Sequence, residues 1–426
     1  MTHQNKLIVW VAGSVLLLAV VIGTVFFVRT GSSRPESTTA DSSLNTGDES
    51  SDMALSSSAN NGDEFKRQYG NTCDKNANPT FTHSPLSVDK IGGIEPLGRV
   101  SDGHVTPVDH VYVSPIDSTV ADNTYDVVMP ADGTLVDVGR MPDQYIGDRS
   151  DVKLAQDDFR MVISFSCRYY SIFIHVHKLS DTVAAAVGTI KPNETKRISL
   201  KLKAGDVLAH LGGSSFDWTM VDTQTNLTGF ITPSYYESEP WKIHTIDPFS
   251  MYSGSLKTSL EAKSLRTVAP FGGKIDWDKQ GALIGNWYKE GTKGYQGASQ
   301  DRYWDGHLAI APHNIDPTGV IYSVGNWNGK AGQYLVKGDF KPEEITAESG
   351  IVKIELMNIT MKNPDGNPFS GGVFKRGMIL DKSSSPVVGV VLLQVQAGEK
   401  LKLEQFPGKT AAQVSGFTPA AVTFER

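Results

Sequence analysis

The sequence lacks three features that would each indicate a common class of protein. It has no long basic run and carries a net charge of −7, which argues against a nucleic-acid partner. It has no glycine loop of the kind that cradles phosphate groups. Beyond its N-terminal part it also lacks the pattern of a long amphipathic helix, and short β-type runs separated by glycine turns take its place.

Cysteine is scarce: only Cys73 and Cys167 occur among the 426 residues. On the extracytoplasmic side of a membrane they would form one disulfide, tying the start of the folded region to a core strand. The alternative is a buried Cys167 and an unpaired Cys73.

A long apolar run lies at residues 7–28 and contains no charged residue. As a helix it would be about 33 Å long, enough to cross a bilayer. Because no small-residue cleavage site follows it, residues 1–29 are predicted to be a transmembrane signal anchor that is not removed. Residues 30–75 are rich in Ser, Thr, Asn and Asp and are predicted to be a flexible linker. We expect a single-pass protein of the cell membrane, with its folded part extracytoplasmic.

The rest of the chain is predicted to be all-β, in two domains at residues 76–265 and 266–426. The predicted strands are residues 111–113, 125–129, 134–138, 159–167, 169–176, 198–202, 308–311, 319–324, 351–357, 387–396 and 400–406. Asp-Gly, Lys-Ala-Gly and Gly-Gly turns between them are typical of sandwiches and barrels. Asp132 and Gly133 are expected to act only as turn residues, with a positive φ at Gly133.

Tryptophan is concentrated in the C-terminal domain, where Trp277, Trp287, Trp304 and Trp327 occur. Aromatic side chains at this density usually pack in a core, and a groove that stacks sugars is the alternative.

Two histidine clusters are the candidate functional residues. The first contains His104, Asp109 and His110, and the second contains His175 and His177. On a regular strand, His175 and His177 would face the same side, whereas only one of Asp109 and His110 could face any one side of an extended segment. Imidazole and carboxylate groups that converge from separate segments can bind zinc, and a free histidine can act as a general base. The alternative is a set of half-buried polar residues with backbone partners.

Residues 100–222 resemble the lysostaphin-type zinc endopeptidases, cell-wall metallopeptidases with a duplicated-hybrid-motif β fold. The resemblance is carried by a His…Asp segment (104–109), an Ala-Asp-Gly-Thr hairpin (129–136), a His-containing strand (175–180) and a Lys-Ala-Gly-Asp-Val-Leu turn (202–212), in the family's order. The hairpin and the turn are the closest matches, and they support the fold more than the activity. The resemblance implies zinc as cofactor, His104, Asp109, His110 and His177 as metal ligands, and His175 and His177 as catalytic residues.

The sequence departs from the family at three places. Four residues separate His104 from Asp109 where the family has three. His177 is followed by Lys-Leu-Ser rather than Leu-Ser directly. Asp217 and Thr219 stand where the family's last His-x-His strand is expected, so the third zinc ligand is missing unless Asp217 replaces it.

Three interpretations remain. The preferred one is a membrane-anchored, peptidase-like protein with a degenerate site, which binds a cell-envelope polymer or an envelope protein without cleaving it. The second is an active zinc-dependent cell-wall endopeptidase, in which metal-bound water is the nucleophile. The third is a surface protein that binds carbohydrate through its tryptophan-rich half.

Overall fold

A computed structural model describes residues 79–426 except 143–144, 147–148, 154–156, 300–301, 372 and 384. The predicted signal anchor, the linker and Cys73 lie outside this part of the chain. Within it, none of the helices combines the length and apolar character needed to span a membrane. Cys167 is disulfide-bonded, which is the first of the two alternatives given by the sequence.

The described chain is mainly β, as predicted from the sequence. The strands are β1 (Ile91–Glu95), β2 (Val111–Pro115), β3 (Tyr125–Val128), β4 (Gly133–Arg140), β5 (Tyr145–Ile146), β6 (Arg149–Lys153), β7 (Phe159–Ser164), β8 (Tyr169–Val176), β9 (Lys178–Leu179), β10 (Thr195–Leu202), β11 (Val207–Leu211), β12 (Phe216–Asp222), β13 (Thr245–Ile246), β14 (Gly285–Lys289), β15 (His307–Pro312), β16 (Val320–Trp327), β17 (Lys330–Val336), β18 (Val352–Asn358), β19 (Met361–Lys362), β20 (Ile379–Leu380), β21 (Val387–Gln396), β22 (Lys400–Pro407) and β23 (Val422–Glu425).

Helices are short throughout the described residues. The α-helices are α1 (Asp181–Val187) and α2 (Gly254–Lys263). Single-turn 3-10 helices occur at Val88–Lys90, Pro233–Tyr236, Lys242–His244, Pro248–Met251, Gly294–Gln296, Tyr303–Gly306, Pro342–Glu344, Ala347–Ser349 and Ala411–Gln413.

The first β region is built on an eight-stranded sheet. Its strands follow the order β1-β2-β12-β8-β7-β4-β10, with β13 paired to β12, and a three-stranded sheet β3-β11-β9 lies beside it. One face of the large sheet carries Phe173, Val176 and Trp218 into the main hydrophobic core. Ile172 packs on the opposite face in a smaller cluster, against which the partly buried Trp241 lies. Both faces are therefore covered, which explains the nearly continuous burial along β8 and β12.

The second region is a closed barrel of β14, β15, β16, β17, β18, β21, β22 and β23. Trp287 and Trp327 lie in its core, as the sequence predicts, whereas Trp277 and Trp304 are half-buried. The buried guanidinium of Arg426 lies 4.0 Å from the Trp287 ring centroid and donates to the carbonyl oxygens of residues 279, 282 and 284. It also donates to Glu399 at 2.8 Å. Arg426 thus joins two parts of the barrel rim to its last strand.

The Asp132–Gly133 turn differs from the prediction at Gly133. Gly133 begins β4 and does not have a positive φ, so the expected left-handed conformation is wrong. A Cβ at this position would lie 2.9 Å from the carbonyl oxygen of Ser164, so glycine is needed for close approach of two strands. Asp132 accepts from the backbone N–H of Ala204 and from Lys203, which joins the two turns that carry the sequence resemblance.

Candidate functional site

A β-bulge sets the direction of His175. Phe159 pairs with Val176 and Arg160 pairs with Ile174, so His175 is an extra residue in β8 with φ +68°. The strand then ends at Val176, before His177. The prediction that His175 and His177 face the same side of one regular strand is therefore wrong, because the bulge interrupts the alternation of side chains.

Asp217 joins the two histidine clusters that the sequence places far apart. It lies on β12 opposite Tyr112 of β2 and Ile174 of β8. Its Oδ2 atom is 3.4 Å from Nε2 of His110 and 3.6 Å from Nε2 of His175. One buried carboxylate oxygen therefore lies next to an imidazole from each cluster, at the position where the family resemblance expects a histidine.

Asp158 lies on the far side of His175. Its Oδ2 atom is 2.7 Å from Nδ1 of His175, while its buried Oδ1 atom has no hydrogen-bond partner in the described structure. Burial lowers the pKa of His175, but the hydrogen bond to Asp158 and the charges of Asp217 and Asp158 outweigh it and raise the pKa to about 9. His175 is therefore a half-buried cation between two carboxylates at neutral pH. We call Asp109, His110, Asp158, His175 and Asp217 the His–Asp network.

The first cluster lies in a bend rather than in an extended segment. Nδ1 of His110 is 3.4 Å from Oδ1 of Asp109, so the expectation for an extended segment, that only one of these neighbours faces a given side, does not apply to this bend. The rings of His104 and His110 meet edge to face with centroids 5.9 Å apart. Burial, together with the charges of His110, Lys242 and Arg99, lowers the pKa of His104 to about 3, so His104 is neutral at physiological pH.

The loop that carries His104 is held against the barrel. Gln333 of β17 accepts from the backbone N–H of Asp102 and donates to its carbonyl oxygen. The backbone at Gly103 lies so close to the Trp304 ring that a Cβ there would be 3.2 Å from it. These contacts close the site on the side of the second β region.

Both oxygen atoms of Asp109 are engaged by neighbouring side chains. Oδ1 is 3.2 Å from the ammonium nitrogen of Lys242, and Oδ2 accepts from the indole N–H of Trp241 at 2.6 Å. Burial raises the pKa of Asp109, but Lys242 and His110 outweigh it and hold the pKa well below its usual range. Lys242 is itself buried and also contacts Glu239 at 3.3 Å. We call Asp109, Lys242 and Glu239 the lysine triad.

His177 is placed away from Asp217. Its Nδ1 atom is 3.1 Å from Asp122 and its Nε2 atom is 3.0 Å from the hydroxyl of Ser214, while its backbone N–H donates to the carbonyl oxygen of His210. The structure thus brings together Asp109, His110 and His175 in the His–Asp network and places the ring of His104 against that of His110. It gives His177 a separate set of partners.

Four residues of the site carried no signal in the sequence: Asp158, Glu239, Trp241 and Lys242. Asp158 precedes a strand and resembles any polar loop residue. The other three lie in a segment without β or helical periodicity, and only the folded chain places them against Asp109. The Glu-Pro-Trp-Lys order at residues 239–242 would have been the only available clue.

The described residues contain no group of three or more His, Cys, Asp or Glu side chains arranged to hold a metal ion. No protein-family model, curated protein or solved structure matches this chain.

A cavity of about 320 Å³ lies between the first β region and the barrel. Its walls include Arg99, Pro312, His313, Ile321, Met361 and Phe374. Nδ1 of His313 accepts from the backbone N–H groups of Ile315 and Asp316, and burial lowers the pKa of His313 to about 4. The ring is therefore neutral with its proton on Nε2, which leaves a hydrogen-bond donor in a largely apolar wall.

Proposed function

We propose that this chain is a membrane-anchored, extracytoplasmic protein whose peptidase-like domain binds an envelope polymer or an envelope protein without cleaving it. The contact of Lys242 and Trp241 with Asp109 carries the proposal. In the zinc peptidases that the sequence resembles, a carboxylate in this segment binds the metal. Here an ammonium group of the same chain neutralises that carboxylate, and a second cation beside it would be opposed by like charge.

Enclosure of the site supports the same conclusion. A hydrolase must admit its substrate to the reacting groups, whereas Asp109, His110 and Asp217 are buried and the His104 loop is held against Gln333. The cavity beside Arg99 offers a different place for a ligand. Its apolar walls suit the aliphatic side chains of a short peptide, and Nε2 of His313 can donate to a peptide carbonyl group. We therefore infer that the peptide part of an envelope polymer binds in this cavity.

The test combines metal analysis with a binding assay on the full chain in detergent. We expect no stoichiometric zinc after exposure to zinc and dialysis. We also expect the protein to sediment with insoluble cell-wall polymer and to release no soluble peptide fragments. Near-stoichiometric zinc that is lost in His110→Ala, or fragment release that depends on zinc, would refute the proposal, and so would a failure to bind the polymer.

A pair of variants locates the binding surface. Thr360→Trp adds a large side chain at the exposed mouth of the 320 Å³ cavity and should abolish sedimentation with the polymer. Ser299→Trp places the same side chain at a separate cavity of about 460 Å³, lined by Arg302, Leu403 and Phe424, and this variant should bind the polymer normally. The reverse result would assign binding to the second cavity.

The active zinc peptidase remains the second candidate because of Asp217. His110, His175 and Asp217 supply two imidazoles and a carboxylate, and Asp158 would orient His175 from behind, as carboxylates do for metal-bound histidines. Zinc binding there would require His175 to give up its proton. The zinc analysis separates the two candidate functions. The zinc peptidase predicts bound zinc that is lost in Asp217→Asn, whereas the binding protein predicts no stoichiometric zinc.

A further inference from the structure

The lysine triad places an amine between two carboxyl groups. Nζ of Lys242 lies 3.2 Å from Oδ1 of Asp109 and 3.3 Å from Oε2 of Glu239. Lys242 lies in a single-turn helix and Asp109 in the bend before β2, so the two residues belong to segments far apart in the sequence. A covalent bond between them would therefore close a large loop of the chain.

The two reacting groups of the triad are buried in partly aromatic surroundings, whereas the side chain of Glu239 is 22% exposed. The side chain of Lys242 is 4% exposed and that of Asp109 is 8% exposed. Nζ of Lys242 lies 4.7 Å from the ring centroid of Tyr295, which the barrel region contributes. Trp241 covers the other oxygen of Asp109 with its indole N–H. Exclusion of water favours condensation of an amine with a carboxyl group, because water is a product of that reaction.

We propose that Lys242 and Asp109 form an intramolecular amide cross-link, with Glu239 as the proton carrier. The site thus becomes one of autocatalytic covalent modification, which requires no partner protein and no cofactor.

The reaction balances within the triad. After Lys242 has passed a first proton to Glu239, the lone pair of Nζ attacks Cγ of Asp109 and a C–N bond forms. Glu239 delivers that proton to the departing carboxyl oxygen, then takes a second proton from Nζ and delivers it to the same oxygen. The C–O bond breaks, one water molecule leaves, and the amide nitrogen keeps one hydrogen. The N–H of Trp241 donates to the remaining oxygen and stabilises the negative charge that develops on it. An ammonium and a carboxylate are converted to an amide and water, and no group is oxidised or reduced.

Glu239 is placed to carry the proton, because its Oε2 atom lies 3.3 Å from Nζ of Lys242. Proton transfer must precede attack, and we expect bond formation to be a slow event that occurs once per chain.

Contact between a lysine and an aspartate is not sufficient for this chemistry. Lys203 and Asp132 are closer, at 2.7 Å, but their side chains are 80% and 62% exposed and no second carboxylate contacts the amine in the described structure. This pair serves as a control within the same molecule, since it has the reacting groups without the enclosure or the proton carrier.

The experiment is intact-mass measurement and peptide mapping of the full chain, freshly purified and after prolonged incubation. We expect a mass deficit of one water molecule, failure of trypsin to cleave after Lys242, and one branched peptide that contains both Asp109 and Lys242. The Lys203 and Asp132 peptides should be recovered unlinked. A full-mass protein with normal cleavage after Lys242 overturns the proposal, and so does a water loss that maps to any other pair.

Three variants test the roles of the residues. Lys242→Arg keeps the charge and should have full mass. Glu239→Gln keeps the shape but removes the proton carrier, and the link should form far more slowly or not at all. Asp109→Asn should still link, with loss of ammonia in place of water, a signature that a merely structural contact would not produce. Peptide mapping of the chain without substitutions decides whether the cross-link forms, even if a variant fails to fold. Zinc content and polymer binding are separate measurements, so failure of the cross-link leaves the proposed function to be judged on its own test.

Discussion

The charge on His175 predicts a specific dependence of stability on pH. The folded protein holds the pKa of this imidazole at about 9, whereas an unfolded chain has a histidine pKa of about 6.5. A pKa that is raised on folding stabilises the protein fully below the unfolded value, and the contribution is lost as the pH rises through the folded value. At about 1.4 kcal/mol per pKa unit, the contribution of His175 is about 3 kcal/mol.

The assay is chemical denaturation of the protein and of His175→Asn between pH 5.5 and pH 10, as round limits about those two pKa values. Asparagine is chosen because it tolerates the positive φ at this position and carries no charge. The difference in unfolding free energy should be constant below about pH 6.5 and should shrink by about 3 kcal/mol as the pH rises through 9. Comparison with the variant cancels the titration of the other groups.

Two outcomes would refute this reasoning. A difference that stays constant to pH 10 would mean that Asp158 and Asp217 do not hold the proton on His175. A difference that grows with pH would mean that His175 is stabilised in its neutral form, as a metal ligand would be. Asp158→Asn removes the carboxylate closest to His175. The pH at which the stabilisation by His175 is lost should therefore be lower in this variant, which tests the reasoning without replacing the histidine.

Two further predictions concern stability. Arg426→Ala should lower the free energy of unfolding by about 3–5 kcal/mol, because it leaves buried carbonyl groups and a carboxylate without their hydrogen-bond donor. Its control is Arg302→Ala, which breaks an exposed ion pair and should change the free energy of unfolding by about 1 kcal/mol or less. Gly133→Ala should lower the free energy of unfolding by about 1–3 kcal/mol, since its Cβ would lie 2.9 Å from the carbonyl oxygen of Ser164. Its control is Gly416→Ala, where no atom lies within 4 Å of the added Cβ, and the free energy of unfolding should change by about 0.5 kcal/mol or less. Urea or guanidinium denaturation measures all four, and equal effects within either pair would contradict the structural reason.

The β class and several strand positions could be predicted from the sequence. Strand β8 has the predicted bounds at residues 169–176, and β21 has them at residues 387–396. Both are long runs of β-branched and aromatic residues, whose preference for strands is expressed locally.

The geometry of the site could not be predicted in the same way. The bulge at His175 exists because β7 and β8 pair with one extra residue in β8, and strand register is a property of the pair rather than of either sequence. Only the motif order of the zinc endopeptidases that the sequence resembles points to Asp217 as a substitute ligand, whereas its contacts with His110 and His175 require β2, β8 and β12 to pair. Lys242 lies outside any segment with strand or helix periodicity. Only the folded chain places Asp109 and Glu239 beside its ammonium group, so the sequence gives no sign that this charge is buried.

The strand order of the large sheet has a consequence for biosynthesis. Ser114 and Ser215 share a hydrogen bond although 101 residues separate them, because β2 pairs with β12. During translation β2 can pair with β1, which has already emerged, but the edge of β2 that pairs with β12 stays uncovered until residues 216–222 have been made. Chains with such non-local strand pairing fold slowly, and their intermediates expose apolar surface that promotes aggregation. We expect the nascent chain to depend on a holding chaperone until residue 222 has been released.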